Sequence, residues 1–214
     1  MRFIYAINFK AYEEGTGKRA LELARTIETV SHDTGNEIIA CVQPSDIFRI
    51  KGQCPIKVFS QHIDPVSPGS HTGWLTPFAA KAAGASGTLI NHSERPLSME
   101  EIKKRIDACR AIGLESIVCA PTPADCAKIS ALRPDYIAVE PPELIGSGIP
   151  VSKAKPEVIV ESKKAVSVPL LCGAGINDGS DVKRAKELGA EGVLVASAIV
   201  KAKDREAALR KLVI

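Results

Sequence analysis

The segment GTLINHSERPLSMEEIKKRIDACRAIGLESIVC, Gly87 to Cys119, holds the unit from which the rest of the chain is built. Gly87–Ile90 and Ser116–Cys119 are short apolar runs, the pattern of strands buried on both faces in a parallel sheet. Between them the spacing predicts a helix from Ser98 to Gly113, with Ile102, Ile106, Cys109 and Ile112 on one face. Ser98 can cap it, Glu101 three residues on completes a capping box, and Gly113 stops it. Lys103, Lys104, Arg105 and Asp107 fall on the other faces and read as solvated surface.

Runs of the same kind stand at Phe3–Ile7, Glu37–Val42, Lys57–Ser60, Tyr136–Val139, Pro169–Cys172 and Gly192–Val195. Helical patterns recur at Ala20–Val30, through Leu23, Ile27 and Val30, and at Asp181–Gly189, through Val182, Ala185 and Leu188. Strands alternating with helices fold as an open doubly wound sheet or a closed barrel. Eight even repeats favour an α/β fold made of one (β/α)8 barrel over residues 1–214, with no linker or low-complexity stretch. The Pro/Gly-rich stretches Pro65–Pro77 and Pro141–Pro150 read as long loops after strands three and six, and long loops in a compact domain are usually functional.

Composition bounds the function. The chain has 214 residues, and 28 Lys plus Arg against 25 Asp plus Glu give a net charge of +3, too mild to argue for nucleic acid. Aromatics are 4%, so the core rests on Ile, Val, Leu and Ala. No apolar run approaches the roughly 18 residues of a membrane span. The first residues run straight into a strand pattern without a signal-peptide apolar region, so a cytoplasmic location is expected. The six cysteines include no Cys-x-x-Cys pair, and Cys41, Cys119 and Cys172 each end an apolar run. They read as reduced core thiols, not as a disulfide framework or zinc site.

In such a barrel every strand C-terminus opens on one face, where the chemistry gathers. Asn8-Phe9-Lys10 follows the first run, and Asn91-His92-Ser93-Glu94-Arg95 the fourth. Glu140-Pro141-Pro142 follows the sixth, Gly173-Ala174-Gly175 the seventh and Ala196-Ser197 the eighth. Singly, Glu140 reads as a carboxylate paired with a lysine, His92 as a structural histidine and Lys10 as a solvated charge. Gly173 and Gly175 read as turn residues, and Ala196-Ser197 as the start of the last helix. Their convergence on one rim points to catalysis. Glu140, held by a double proline at the mouth of an apolar barrel, has its pKa raised by desolvation and is the expected base.

These motifs, in this order, resemble the triosephosphate isomerase family, and the likeness runs from residue 8 to about 201. The shorter chain resembles the archaeal branch. The commoner family pattern has a serine near Gly175, Gly-Gly where Ala196-Ser197 stands and a tryptophan where Pro142-Glu143-Leu144 stands. The resemblance implies a single TIM barrel that interconverts two triose phosphates in glycolysis and gluconeogenesis. It implies Glu140 as base, His92 as neutral electrophile, Lys10 with Asn8 against negative charge, and Glu94 orienting groups near Lys10. Backbone N–H groups of Ile145, Gly146, Gly175, Ala196 and Ser197 would hold the phosphate. Loop 141–149, with Ile145-Gly146-Ser147-Gly148 at its end, would close as a lid. The loop from Gln61 through Trp74 would insert into a partner and buttress Lys10. This gives a homodimer through 65–77, with a homotetramer as the alternative. No cofactor, metal, nucleic acid or membrane partner is implied.

Two other readings stay open on sequence alone. A metal-dependent sugar-phosphate epimerase on the same fold would recruit His62, Asp64 and His92, although no carboxylate directly ends strand seven and Asp178 lies further on. A non-catalytic phosphate-sugar binding barrel would keep the two small-residue loops without needing Glu140, His92 and Lys10 together.

Overall fold

The computed structural model describes residues 2–146 and 148–214. Eight parallel strands close into one barrel in sequence order. They are β1 (Ile4–Asn8), β2 (Glu37–Val42), β3 (Lys57–Ser60), β4 (Gly87–Ile90), β5 (Glu115–Ala120), β6 (Tyr136–Val139), β7 (Leu170–Gly173) and β8 (Gly192–Val195). Around them lie α1 (Lys18–Thr34), α2 (Pro44–Lys51), α3 (Pro77–Ala82), α4 (Met99–Ile112), α5 (Pro123–Ser130), α6 (Val151–Ala154), α7 (Pro156–Ala165), α8 (Gly179–Glu187), α9 (Ser197–Val200) and α10 (Arg205–Leu212). Five strands have the expected bounds. β1 and β7 sit one residue later than the apolar runs, because the ladder pairs Asn8 with Cys41 and Gly173 with Leu194.

Side chains alternate across each strand, and the two faces form two cores. Ile4, Ala6, Ile39, Cys41, Phe59, Leu89, Ile117, Cys119, Ala138, Leu171 and Leu194 fill the interior of the barrel. Tyr5, Ile7, Ile38, Ala40, Val118, Ile137 and Val193 face the helices. The inward parity has a polar residue at each end of several strands. At the N-terminal end Lys57 lies 2.8 Å from Glu37 Oε1 and 2.7 Å from Glu115 Oε1, and the Tyr136 hydroxyl donates to Glu115. At the C-terminal end the same parity carries Asn8, Gln61, Glu140 and Gly173. All six cysteines are buried and free.

Three local expectations change. The capping box of α4 is half formed: Ser98 Oγ accepts from Glu101 N at 3.3 Å, but the Glu101 carboxylate turns to Arg105 at 2.6 Å. Arg105 is not solvated surface. It is buried, and its Nε donates to Ile63 O at 2.9 Å, tying α4 to the loop after β3. Ala196 and Ser197 do not begin the last helix: they open the four-residue α9, and α10 follows.

Replacing Arg105 by Met keeps the apolar stem but leaves the Ile63 carbonyl unpaired. The expected loss is about 2 kcal/mol of stability, the scale of a charge-assisted hydrogen bond. Urea unfolding with an unchanged slope and a lower midpoint is the expected result.

Candidate active site

The rim at the C-terminal ends of the strands encloses a cavity of about 80 Å³, lined by Asn8, Lys10, His92, Glu140, Gly175 and Ser197 among others. That volume suits a ligand of a few heavy atoms; drug-sized ligands fill roughly 300–1,000 Å³. A larger open basin of about 940 Å³ lies at the opposite end, near Arg25, His32, Glu37 and Lys57, but none of its charged groups is buried. The rim cavity, which gathers the buried Glu140 and His92, is therefore the candidate site.

Glu140 continues the inward parity of β6 one residue past its end. Its backbone N–H donates to Ala120 O at 2.9 Å, which prolongs the ladder and fixes where the carboxylate starts. The side chain passes over Gly173, where a Cβ would lie 2.3 Å from Glu140 Cγ. The glycine at 173 is thus clearance for the carboxylate, beyond any turn it allows. The carboxyl is buried and Oε2 has no hydrogen-bond partner among the described residues. Burial pushes its pKa above the ordinary carboxylate range, offset in part by His92, the Cys119 thiol and Lys10.

His92 faces Glu140, with Nε2 3.9 Å from Oε2. Its other nitrogen, Nδ1, accepts the backbone N–H of Glu94 at 3.2 Å. The Glu94 carboxylate is 3.6 Å from the same nitrogen, too far for a hydrogen bond, so the amide takes the lone pair. A ring nitrogen accepting an N–H carries no proton, which leaves the proton of a neutral ring on Nε2, the atom facing the cavity.

Lys10 adopts φ 48°, a left-handed conformation unusual for lysine. The strain is held from both sides. Lys10 N donates to Asn8 Oδ1 at 3.0 Å, and Gln61 Nε2 donates to Lys10 O at 2.9 Å. Its ammonium pairs with Glu94 Oε1 at 2.8 Å. Asn91, also at positive φ, does not line this cavity; it bonds Cys119 O and Leu97 N, bracing the turn that presents His92.

Ile145, Gly146, Gly175, Ala196 and Ser197 all line the same cavity. The backbone N–H groups of Gly146, Gly175, Ala196 and Ser197 find no acceptor among the described residues. Ile145 differs: its N–H donates to Pro142 O at 3.2 Å, closing a short 3-10 turn over Pro142–Leu144, so that group is already used. Ser147, part of the expected lid, lies outside the described residues. The Glu143 carboxylate forms an ion pair with Lys155.

Gln61, expected only as part of the loop after strand three, belongs to the site through its bonds to Asn8 Oδ1 and Lys10 O. It follows β3 directly, as Glu140 follows β6, so the strand-end rule reaches it as well. Asn177 and Tyr12 also line the cavity, and neither follows a strand directly, so no such signal marked them. His62 and Asp64 pair with each other at 2.8 Å, and no cluster of three metal-ligating side chains occurs among the described residues. Trp74 is 53% exposed, so local core packing does not account for it.

Because burial raises the pKa of Glu140, the folded chain holds that proton more tightly than the unfolded chain does. The group costs nothing below the unfolded carboxyl pKa, near 4.3, and the folded state loses stability as pH rises through the folded value. Glu140→Gln removes this cost. Its melting temperature is expected to exceed that of the unsubstituted protein at pH 7 and to approach it at pH 4; the reverse trend would contradict the burial argument.

Comparison with known proteins gives one family. The family model described as triosephosphate isomerase matches residues 3–213. The triosephosphate isomerase of Methanosarcina mazei is 50% identical over 212 residues, covering 97% of this chain and 96% of that protein. That of Methanocaldococcus jannaschii is 49% identical over 215 residues, covering 98% of each. The crystal structure of triosephosphate isomerase from Bartonella henselae superposes with a TM-score of 0.74 at 23% identity, covering 98% of both chains, and shares the fold. With a barrel closed in sequence order and near-complete matches at about half identity, the chain belongs to the triosephosphate isomerase family.

Proposed function

We propose that the chain interconverts D-glyceraldehyde 3-phosphate and dihydroxyacetone phosphate through an enediolate, serving glycolysis and gluconeogenesis. The observation that carries this reading is the buried Glu140 carboxylate facing His92 Nε2 at 3.9 Å in one small cavity. A carbon acid between two oxygens needs a desolvated base on one side and a proton donor to the oxygens on the other.

Glu140 removes the proton from one carbon of the bound triose phosphate and returns it to the neighbouring carbon. His92 donates Nε2–H to the carbonyl oxygen as charge develops there, then moves protons between the two oxygens. The Nδ1 bond from Glu94 supports that role by keeping the donor on the cavity side. Lys10, poised by Asn8 and Gln61, stabilises the negative charge of substrate and enediolate. Glu94 sets the position of the Lys10 ammonium. Gly146, Gly175, Ala196 and Ser197 offer the phosphate N–H groups that have no acceptor among the described residues. Ile145 contributes packing at the cavity wall, since its own N–H is spent within its turn. The reaction moves a proton and no net electrons, so it asks for no redox cofactor, and none is assigned; nor is a metal.

The decisive experiment incubates dihydroxyacetone phosphate with the protein in D₂O. Isomer formation with carbon-bound deuterium is expected. Glu140→Gln is expected to lower kcat by about 10²–10⁴, the usual worth of a general base, with KM little changed. A loss below tenfold removes Glu140 from its role. Absence of both isomer and deuterium would favour a non-catalytic sugar-phosphate binder.

The same reading extends to assembly and location. We infer a homodimer formed through loop 65–77, supported by the exposed Trp74 beside His71, with ring centroids 5.6 Å apart. Sedimentation is expected to give a dimer for the parent chain and a shift towards monomer for Trp74→Glu. A tetramer would add a second interface to this one. Six buried, unbridged thiols suit a reducing compartment, and the cytoplasm is the proposed location.

A further inference from the structure

Where the ring closes, the loop after β1 meets the turn after β8. Tyr12, two residues after Lys10, lines the rim cavity from this loop. Its carbonyl accepts twice, from Gly15 N at 2.9 Å and from Thr16 Oγ1 at 2.7 Å. Thr16 Oγ1 in turn accepts from Gln43 Nε2 at 2.8 Å. Gly15 lets the loop settle on α9: a Cβ there would lie 2.7 Å from Phe9 O and 3.3 Å from Val200 Cγ1. The backbone that carries the Tyr12 ring is therefore held from several sides.

On that ring rests a cation. Lys201 Nζ stands 4.1 Å from the ring centroid, inside the cation–π range of about 6 Å. Lys201 closes α9, and its backbone N–H donates to Ser197 O at 3.1 Å. It is thereby tied to the turn that presents Ala196 and Ser197. Lys153 and Lys155, in and just after α6, are paired with Asp181 and Glu143. Lys201 has no such carboxylate among the described residues, so its charge is not cancelled.

The charges of the site give this arrangement a use. Lys10 is the one lysine or arginine among the described residues that line the cavity, and Glu94 pairs with it at 2.8 Å. Glu140 adds a second carboxylate, which must be ionised to act as a base. One cation thus stands against two carboxylates before any phosphate dianion arrives. Backbone N–H groups bring dipoles there but no net charge. A carboxylate beside Lys201 would orient the ammonium and neutralise it; an aromatic face orients it and leaves the charge whole.

We propose that Lys201, carried on the Tyr12 ring, is a specificity-determining residue: an unneutralised positive charge beside the cavity that favours the phosphate dianion over uncharged three-carbon hydroxycarbonyls. The proposal rests on the isomerase reading of the site. Lys201 does not line the cavity, so it acts through its field and not by contact. A unit charge one ring's width from a dianion, in surroundings close to water, is worth about fivefold in affinity.

The test compares Lys201→Met, Lys201→Arg and Tyr12→Leu with the parent chain. Lys201 is exposed, and equal melting temperatures check that its variants keep the fold. At low ionic strength, Lys201→Met is expected to raise KM for dihydroxyacetone phosphate about fivefold with kcat unchanged, the mark of an interaction made equally with substrate and transition state. Binding of inorganic phosphate, followed by titration calorimetry, is expected to weaken by the same factor. Lys201→Arg keeps the charge and the ring contact and matches the parent. Tyr12→Leu frees the ammonium and gives a smaller loss of the same kind. These differences vanish near 1 M salt, where the screening length is about 3 Å. With glyceraldehyde, which has no phosphate, Lys201→Met matches the parent. Parent-like values for Lys201→Met at low ionic strength overturn the proposal. So does a loss that falls on kcat, persists at high salt or is not restored by Lys201→Arg, since each marks a packing role. Parent-like values for Tyr12→Leu remove the ring from it. If the parent chain isomerises nothing, the functional reading falls, while calorimetry with inorganic phosphate still decides whether Lys201 serves an anion site.

Discussion

Closure of the sheet between β1 and β8 is the constraint on which the site depends. Ile4 to Ile7 pair in register with Gly192 to Val195, so the chain's first and last strands share one ladder and no strand edge is left open. The approach is tight: a Cβ at Gly192 would lie 2.6 Å from Ile4 O. Once the ring is closed and parallel, every strand points its C-terminus at one rim. Groups separated by more than 180 residues, such as Asn8 and Ser197, then share a cavity. In an open sheet of the same strands the two would stand at different edges.

The two ends of the barrel treat their polar groups differently. The N-terminal end of the barrel neutralises its inward charges against each other, Lys57 against Glu37 and Glu115. The C-terminal end leaves a carboxylate buried with one oxygen unpartnered, and holds Lys10, Asn91 and Ala174 at positive φ. Such strain persists only where the surroundings over-determine it. Here they do so with carboxamides. Asn8 and Gln61 grip the backbone of Lys10, Asn91 braces the turn before His92, and Asn177 donates to Gly148 O. Each carboxamide binds backbone atoms at fixed geometry without adding a charge that would disturb the pKa of Glu140.

Glycine serves the site by absence of volume as much as by backbone freedom. Gly173 makes room for the Glu140 side chain, and Gly175 makes room for the backbone at Ile149. A single loop after β7 thereby meets the base, the backbone at Ile149 and, through its N–H groups, the expected phosphate. In the proposed role stability is exchanged for reactivity at this point: the desolvation that raises the Glu140 pKa also makes the folded state less favourable at neutral pH.

The alternation of short apolar runs with helical spacing was enough to place the strands and to favour a barrel, because strand and helix periods are local properties of the chain; closure itself came from the pairing of β1 with β8. That Asn8 and Glu140 continue the inward parity of β1 and β6 emerged only with the register of the ladder. The strand-end rule also located His92, Lys10 and the two small-residue loops. What only the tertiary structure decided are the contacts between segments distant in sequence. Arg105 looked like one more surface charge of α4 until the loop after β3 supplied a carbonyl for it. Which nitrogen of His92 holds the proton depends on the Glu94 amide, and the strain of Lys10 on Gln61. Ile145 lost its free N–H to a turn, and Asn177 gained a partner across the cavity mouth. A hydrogen bond needs position to within a few tenths of an ångström and direction to within some tens of degrees. Residue type and spacing carry neither, so those bonds are legible only once the ring has closed.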